Sequence, residues 1–284
     1  LAAQNNNGGG APDTYLPYLH DPDQVKAWIH NGISLFTVPA KTLIASYYGE
    51  EANYSYYDGC STGGAQGFAL AEFHPELFDG IIAGSPGNWY SHLALSFLWN
   101  ALKTRNESFI PQEKLELIRG RVVEACDEID GVEDGLIENP LRCEFDISTL
   151  DCEEDASNTS SCLTAEQVEA AKAIYAGPKS SLDHEFIYPG FSLGSESEWM
   201  MQEGELADSF SIPILQNLVK DDLGYDASTF DFRKDVKEVD EKAGVLIDEI
   251  SPDLSVFKDC GGKMIVTQGT LPLWHFPNSK EGID

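Results

Sequence analysis

The sequence Gly59-Cys60-Ser61-Thr62-Gly63 sets a serine between glycines, where a β-rich run, Tyr54 to Tyr57, gives way to helical spacing from Ala65 to Phe73. A chain that passes from strand to helix in so few residues must turn sharply at the serine. The flanks of such a turn tolerate close backbone approach only where side chains are missing. The serine hydroxyl then stands clear of the sheet edge, able to attack a carbonyl carbon. The N–H of Thr62, at the helix start, would donate to the oxyanion that develops, and the helix dipole adds to that stabilisation. Two glycines around a serine also mark ordinary turns, so the reading leans on its surroundings. One of these is a compact apolar run, Phe78 to Ala83, ended by Gly84-Ser85-Pro86-Gly87, which fits a buried strand of a parallel sheet.

The rest of the chain is organised around that unit. Val25, Trp28, Ile29, Leu35, Phe36, Leu43 and Ile44 recur at helical spacing up to Tyr48 and the stop signal Gly49, which predicts one helix bent at Pro39. Gly261 to Gly269 returns to the pattern of a buried strand beside a glycine turn. Between them, from about 88 to 252, acidic and helical patterns dominate; Thr164-Ala165-Glu166-Gln167, for instance, opens a helix through Tyr175. The expected fold is therefore α/β. Residues 14–87 and 253–284 would form part of the core, and 88–252 a large inserted lid. Residues 1–13, with Asn5-Asn6-Asn7 running into Gly8-Gly9-Gly10, have the composition of a flexible segment.

Acidic residues outnumber basic ones by 48 to 18, giving a formal charge of -30. Phosphate binding needs clustered Lys and Arg, so nucleic acid and anionic membrane surfaces are disfavoured partners. No apolar run approaches the roughly 18 residues of a membrane helix. Among the six cysteines, Cys126 with Cys143 and Cys152 with Cys162 are close enough to close short disulfide loops. With the sequons at Asn53, Asn106 and Asn158, they predict a secreted, glycosylated protein in an oxidising compartment. The chain opens at Leu1 with no readable signal peptide, and the expectation is a processed or truncated chain.

The stretch GCSTGGAQGFALAEFHPELFDGIIAGSPGNW resembles the tannase and feruloyl esterase family, whose hallmark is a cysteine directly before the nucleophile. The likeness extends from about Tyr15 to Gly269. It implies an α/β-hydrolase core, incomplete in this chain, on which Ser61 works with an acid and a His to hydrolyse small aromatic esters, hydroxycinnamoyl or galloyl, beneath a lid. In the lid, Asp127, Asp130 and Asp134 fall within eight positions, separated by glycines; such hard oxygen donors suit Ca²⁺, although Asp-Gly turns with solvated carboxylates produce the same pattern. The resemblance implies a structural calcium ion held by the side chains of Asp127, Asp130 and Asp134 and the carbonyls of Val132 and Leu136.

The same family pattern exposes what is missing. It expects a glycine, two residues and an Asp after the last strand, where this chain reads Gly269-Thr270-Leu271-Pro272, and a later His-Cys pair that this chain lacks. Cys60 is thereby left without its expected partner. A Cys60 to Cys260 bond is open in principle, and a second chain produced by processing and linked through Cys60 is another route. His275 is the one His after the last strand, and its segment resembles a packing helix rather than the base. His20, His30, His74, His92 and His184 have no supporting spacing, and Asp58 and Asp79 read as structural. The alternative reading is a non-catalytic relative that binds aromatic ligands or a partner protein.

Overall fold

A computed structural model describes residues 15–152, 160–179, 186–249, 251 and 253–269. The flexible segment expected over 1–13, the Asn158 sequon, His184, Thr270-Leu271-Pro272 and His275 lie outside the described residues.

The chain enters through α1 (Pro22–Lys26), capped by Asp21, whose carboxylate accepts from the N–H groups of Asp23 and Gln24. It passes through a wide turn of π geometry, Ala27–Asn31, into α2 (Gly32–Tyr48). Pro39 lies inside α2, which stays α-helical through it; the departure from α geometry falls instead at 27–31. Gly32 allows it, because a Cβ there would stand 2.9 Å from the Ala27 carbonyl oxygen. Gly49, at φ +79°, ends the helix.

The sheet has the order β1 (Tyr56–Cys60), β2 (Gly80–Gly84), β3 (Lys263–Thr267), all parallel, with Tyr56 opposite Gly80 and Gly80 opposite Lys263. β1 therefore lies two residues later than the β-rich run at 54 suggests, and it runs straight into the turn. Helix α3 (Thr62–Phe73) crosses between β1 and β2 and packs on the face bearing Tyr57 and Ile81. Gly67 permits that approach, since a Cβ there would sit 3.0 Å from Ile81 Cγ2. Side chains alternate along a strand, so Tyr56, Ile82 and Ile265 share the opposite face. They are 71%, 41% and 61% exposed.

After β2 come α4 (Tyr90–Lys103), α5 (Gln112–Cys126) and α6 (Ala165–Ala176), then a series of short helical turns, α7 (Val236–Val239), α8 (Val245–Ile247) and α9 (Ser255–Asp259), the last leading to β3. The Thr164 cap and the Gln167 side chain form the reciprocal capping box the sequence predicts. Three apolar clusters result. One lies within the inserted region around Ile118, Val122, Leu163, Ile174 and Trp199. Another lies under the sheet around Leu70, Ile81, Ala83 and Phe257. The third joins Val25, Ile29, Ala65 and Ala69 to Tyr90, Leu98, Leu215 and Ile247, so residues on both sides of position 88 share one core.

The two ends of the inserted region are stitched together. Glu249 N–H donates to the Asn88 carbonyl at 2.6 Å, and Asp248 accepts from Ser91 N–H at 2.8 Å and from the Ser91 hydroxyl at 2.6 Å. Nearby, His92 stacks on Trp89 and its ring nitrogens meet the Ile187 carbonyl at 2.6 Å and Asp240 at 2.7 Å. Among the described residues no helix is long and apolar enough to cross a membrane.

Candidate active site

Ser61 occupies the turn between β1 and α3, at the C-terminal edge of the parallel sheet. Its backbone is at φ +60°, ψ −116°, a region an L-residue enters only at a cost of order 1–3 kcal/mol. The surroundings that hold it there are specific. Ser61 N–H donates to the Gly84 carbonyl at 2.8 Å, and its own carbonyl accepts from Ala65 at 3.2 Å and Gly87 at 3.3 Å. The strand ends and the helix start are thus pinned to the same residue. The side chain is exposed, and among the described residues its hydroxyl has no hydrogen-bond partner.

The glycines around Ser61 are required sterically. A Cβ on Gly59 would stand 2.6 Å from the Gly63 carbonyl oxygen, and one on Gly64 would stand 2.5 Å from that of Gly84. Tyr57 then locks the turn from beneath, its hydroxyl donating to the Gly63 carbonyl at 2.8 Å. Burial, and then the charge of Asp58, pushes the Tyr57 phenol up to about 12, so it stays a neutral donor.

Thr62 begins α3, and its N–H belongs to the first turn, which has no intrahelical acceptor. Among the described residues that N–H has no hydrogen-bond acceptor; the sequence assigns it to an oxyanion. The Thr62 hydroxyl meets the Tyr90 hydroxyl at 3.2 Å, and Tyr90 packs edge-on against Trp28 at 4.9 Å. Gln66 ties this group to α3 by donating to the Trp28 carbonyl at 2.6 Å. Tyr57, Tyr90 and Trp28 are absent from the sequence-derived set, because their part depends on contacts spanning 6 to 38 positions that no local pattern displays.

Cys60 and Cys260 are both free and exposed, so the bond between them that the sequence left open is not formed. Cys126–Cys143 and Cys152–Cys162 are bonded, as their spacing suggests. Asp79 is structural as expected, exchanging backbone and side-chain hydrogen bonds with Ser55 at 2.7 to 2.8 Å.

The acidic loop follows α5 directly. The Asp127 carboxylate accepts from the N–H groups of Asp134 at 3.2 Å and Gly135 at 3.0 Å, while Asp130 and Asp134 each cap the N–H two residues on, at Val132 and Leu136. Gly131 and Gly135 adopt φ of +92° and +78°, which curls the backbone around Asp127. The hard oxygen donors fit calcium chemically. Their arrangement does not gather them: among the described residues no three acidic, His or Cys side chains converge closely enough to hold a metal.

Comparison with known proteins identifies the setting of this serine. The family described as "Tannase and feruloyl esterase" matches residues 2–272. A probable feruloyl esterase B-1 of Neosartorya fischeri is 29% identical over 95% of this chain and 52% of its own length. A probable feruloyl esterase B of Aspergillus niger is 31% identical with the same coverage. The crystal structure of feruloyl esterase B from Aspergillus oryzae superposes with a TM-score of 0.78 at 26% identity, over 88% of this chain and 50% of that one. A tannin acyl hydrolase from Aspergillus niger shares the fold, with a TM-score of 0.70 at 22% identity. The chain spans about half the length of the curated relatives it matches. The fold is thus that of an α/β-hydrolase core, and the chain belongs to the tannase and feruloyl esterase family.

Proposed function

We propose that Ser61 is the nucleophile of a carboxylic ester hydrolase acting on small aromatic esters, hydroxycinnamoyl or galloyl. The observation that carries this is the exposed Ser61 hydroxyl, held at φ +60° over the end of a parallel sheet with the Thr62 N–H beside it. In the reaction Ser61 Oγ adds to the ester carbonyl carbon while the Thr62 N–H donates to the oxyanion. Collapse expels the alcohol and leaves an acyl-enzyme, which water cleaves through a second tetrahedral intermediate. The names of the relatives favour this reading over a non-catalytic binding protein.

Each step needs a base for the Ser61 proton and an acid to orient that base, and no described residue hydrogen-bonds the Ser61 hydroxyl. We assign both to further polypeptide that completes the sheet. Three features support this: the bare face of Tyr56, Ile82 and Ile265, the exposed α2 residues Leu35, Phe36, Leu43 and Tyr47, and free Cys60 at the end of β1, open to a disulfide. Parallel sheets are stable with both faces covered. Secretion is supported by the two disulfides. Calcium binding by Asp127, Asp130, Asp134 and the Val132 and Leu136 carbonyls would require the exposed Asp130 and Asp134 to leave their backbone caps for the ion.

The test is turnover of methyl ferulate and methyl gallate. The completed protein should hydrolyse at least one, and Ser61→Ala should lower kcat by a factor on the order of a million. The 284-residue chain alone should be inactive. Ser61-dependent turnover by that chain alone would overturn the completion, and turnover indifferent to Ser61→Ala would overturn the nucleophile.

A further inference from the structure

Away from Ser61, three titratable side chains meet in the interior. The Glu72 carboxyl, near the C-terminal end of α3, faces that of Glu249, on the segment returning from the inserted region, and Glu72 Oε2 is buried with no hydrogen-bond partner among the described residues. Glu249 is only 3% exposed, and its Oε2 lies 3.4 Å from Nδ1 of His30, itself 7% exposed, on the wide turn Ala27–Asn31. The group therefore sits where the N-terminal helix, the nucleophile helix and the returning segment come together.

Counting hydrogens settles what the contacts need. Two carboxylates present only lone pairs and cannot bond one another, so the Glu72–Glu249 contact requires a proton. The His30 ring faces the Leu246 carbonyl, and its Nδ1 has no hydrogen-bond partner among the described residues. In the neutral ring Nε2 is then the donor, and Nδ1 turns a lone pair toward a carboxyl oxygen. That contact also closes only with a proton.

We propose that Glu72, Glu249 and His30 form a buried proton-sharing clamp in which Glu72 donates to Glu249 and Glu249 donates to His30 Nδ1. Two protons then hold three chain segments together, beside the Glu249 to Asn88 backbone bond that closes the inserted region.

The local electrostatics agree with this assignment. Burial, followed by the neighbouring Glu249, pushes the Glu72 carboxyl up to about 7; burial raises Glu249 as well. His30 is held below the ordinary imidazole value, first by burial and then by Lys26; together these outweigh the opposite pull of Glu72, the Leu246 carbonyl and Asp248. Ser251 hydrogen-bonds Glu72, and the Phe73 ring covers His30 edge-on at 5.4 Å. Among the described residues, Asp58 on β1, Lys41 on α2 and Lys258 and Asp259 on α9 make no ion pair with the group. As pH rises, Glu72 releases its proton to solvent, and its carboxylate then faces Glu249 oxygens that have no hydrogen to offer it, because the Glu249 proton is held by His30 Nδ1. The contact between α3 and the returning segment opens, roughly 16 Å along the helix from Ser61. This clamp does not depend on the esterase reading.

The test compares unfolding of the wild type and of the double variant Glu72→Gln/Glu249→Gln, whose amides supply fixed donors at both contacts. Between pH 5.5 and 8 the wild-type folded-to-unfolded ratio should fall roughly ten- to a hundred-fold more than that of the variant. Parallel pH profiles would overturn the proposal. A second measurement on the wild type stands if the variant fails to fold. Nitrogen-15 spectra should show His30 as the neutral Nε2–H form at pH 6, with Nδ1 shifting as the clamp loses its proton near pH 7. A His30 that is imidazolium at pH 6, or that titrates like a solvent-exposed ring, would refute it.

Discussion

At the scale of single residues, the site is a steric problem solved by what is absent. Gly59 and Gly64 leave room for carbonyl oxygens that a methyl group would strike, and Tyr57 fills the space below. Gly64→Ala forces a Cβ to within 2.5 Å of the Gly84 oxygen and 2.7 Å of the Pro86 Cα, both of them backbone atoms. We expect a loss of about 1–3 kcal/mol in urea unfolding, together with loss of the Ser61 geometry. Tyr57→Phe keeps the ring and removes one buried donor, leaving the Gly63 carbonyl without it; a cost of about 1–2 kcal/mol is expected. The glycines and the serine could be read from the sequence because their constraints are local. Tyr57 and Tyr90 could not, since a tyrosine near a turn reads as packing until the partner of its hydroxyl is known.

At the scale of elements, periodicity located the helices well and placed their irregularities poorly. Pro39 drew the expected bend to itself, yet the non-α turn formed at 27–31, where Gly32 removes the clash. The extension of β1 to Cys60 went unread because Asp58-Gly59-Cys60 has low intrinsic strand propensity; pairing with β2 overrides it. The capping box at Thr164 was fully legible, and Thr164→Ala should cost about 1 kcal/mol. The Cys126–Cys143 bond closes a loop of 17 residues around the acidic turn. Replacing both cysteines by Ala should cost about 3 kcal/mol, read as a lower unfolding midpoint under non-reducing conditions. Calcium binding by that loop should raise the unfolding free energy with added CaCl₂, by about 2.7 kcal/mol at a hundred times Kd. Asp127→Ala, which removes the residue around which the loop curls, should abolish the rise.

At the scale of the whole molecule, burial and charge set a pH range. Burial raises Asp248 to about 6, Glu72 to about 7 and Glu203 to about 8 in the folded state. A carboxyl with a raised folded value binds more protons folded than unfolded at intermediate pH, so its contribution is present below its ordinary value and declines as pH rises through the folded one. Capping carboxylates such as Asp21, Asp146 and Asp226 are lowered by the hydrogen bonds they accept from Gln24, Ser148 and Ser228, and their contribution is lost in acid. Stability should therefore peak near pH 5 and fall steadily to pH 8, as thermal unfolding across that range will check. A net charge of -30 adds repulsion in the same direction. The fold class was legible from the order of patterns along the chain. The shared core joining 14–87 to 88–252 was not, because long-range packing leaves no spacing to read. Nor was the bare sheet face, which depends on which strands find neighbours.

The claim on which the functional account rests is that Ser61 is an activated nucleophile once the sheet is complete. Treating the completed protein with a fluorophosphonate and mapping the adduct by peptide mass spectrometry tests it most directly. The account predicts one stoichiometric adduct on Ser61, lost in Ser61→Ala and absent from the 284-residue chain alone. An active, completed protein that carries the adduct on another residue, or leaves Ser61 unmodified, would contradict it.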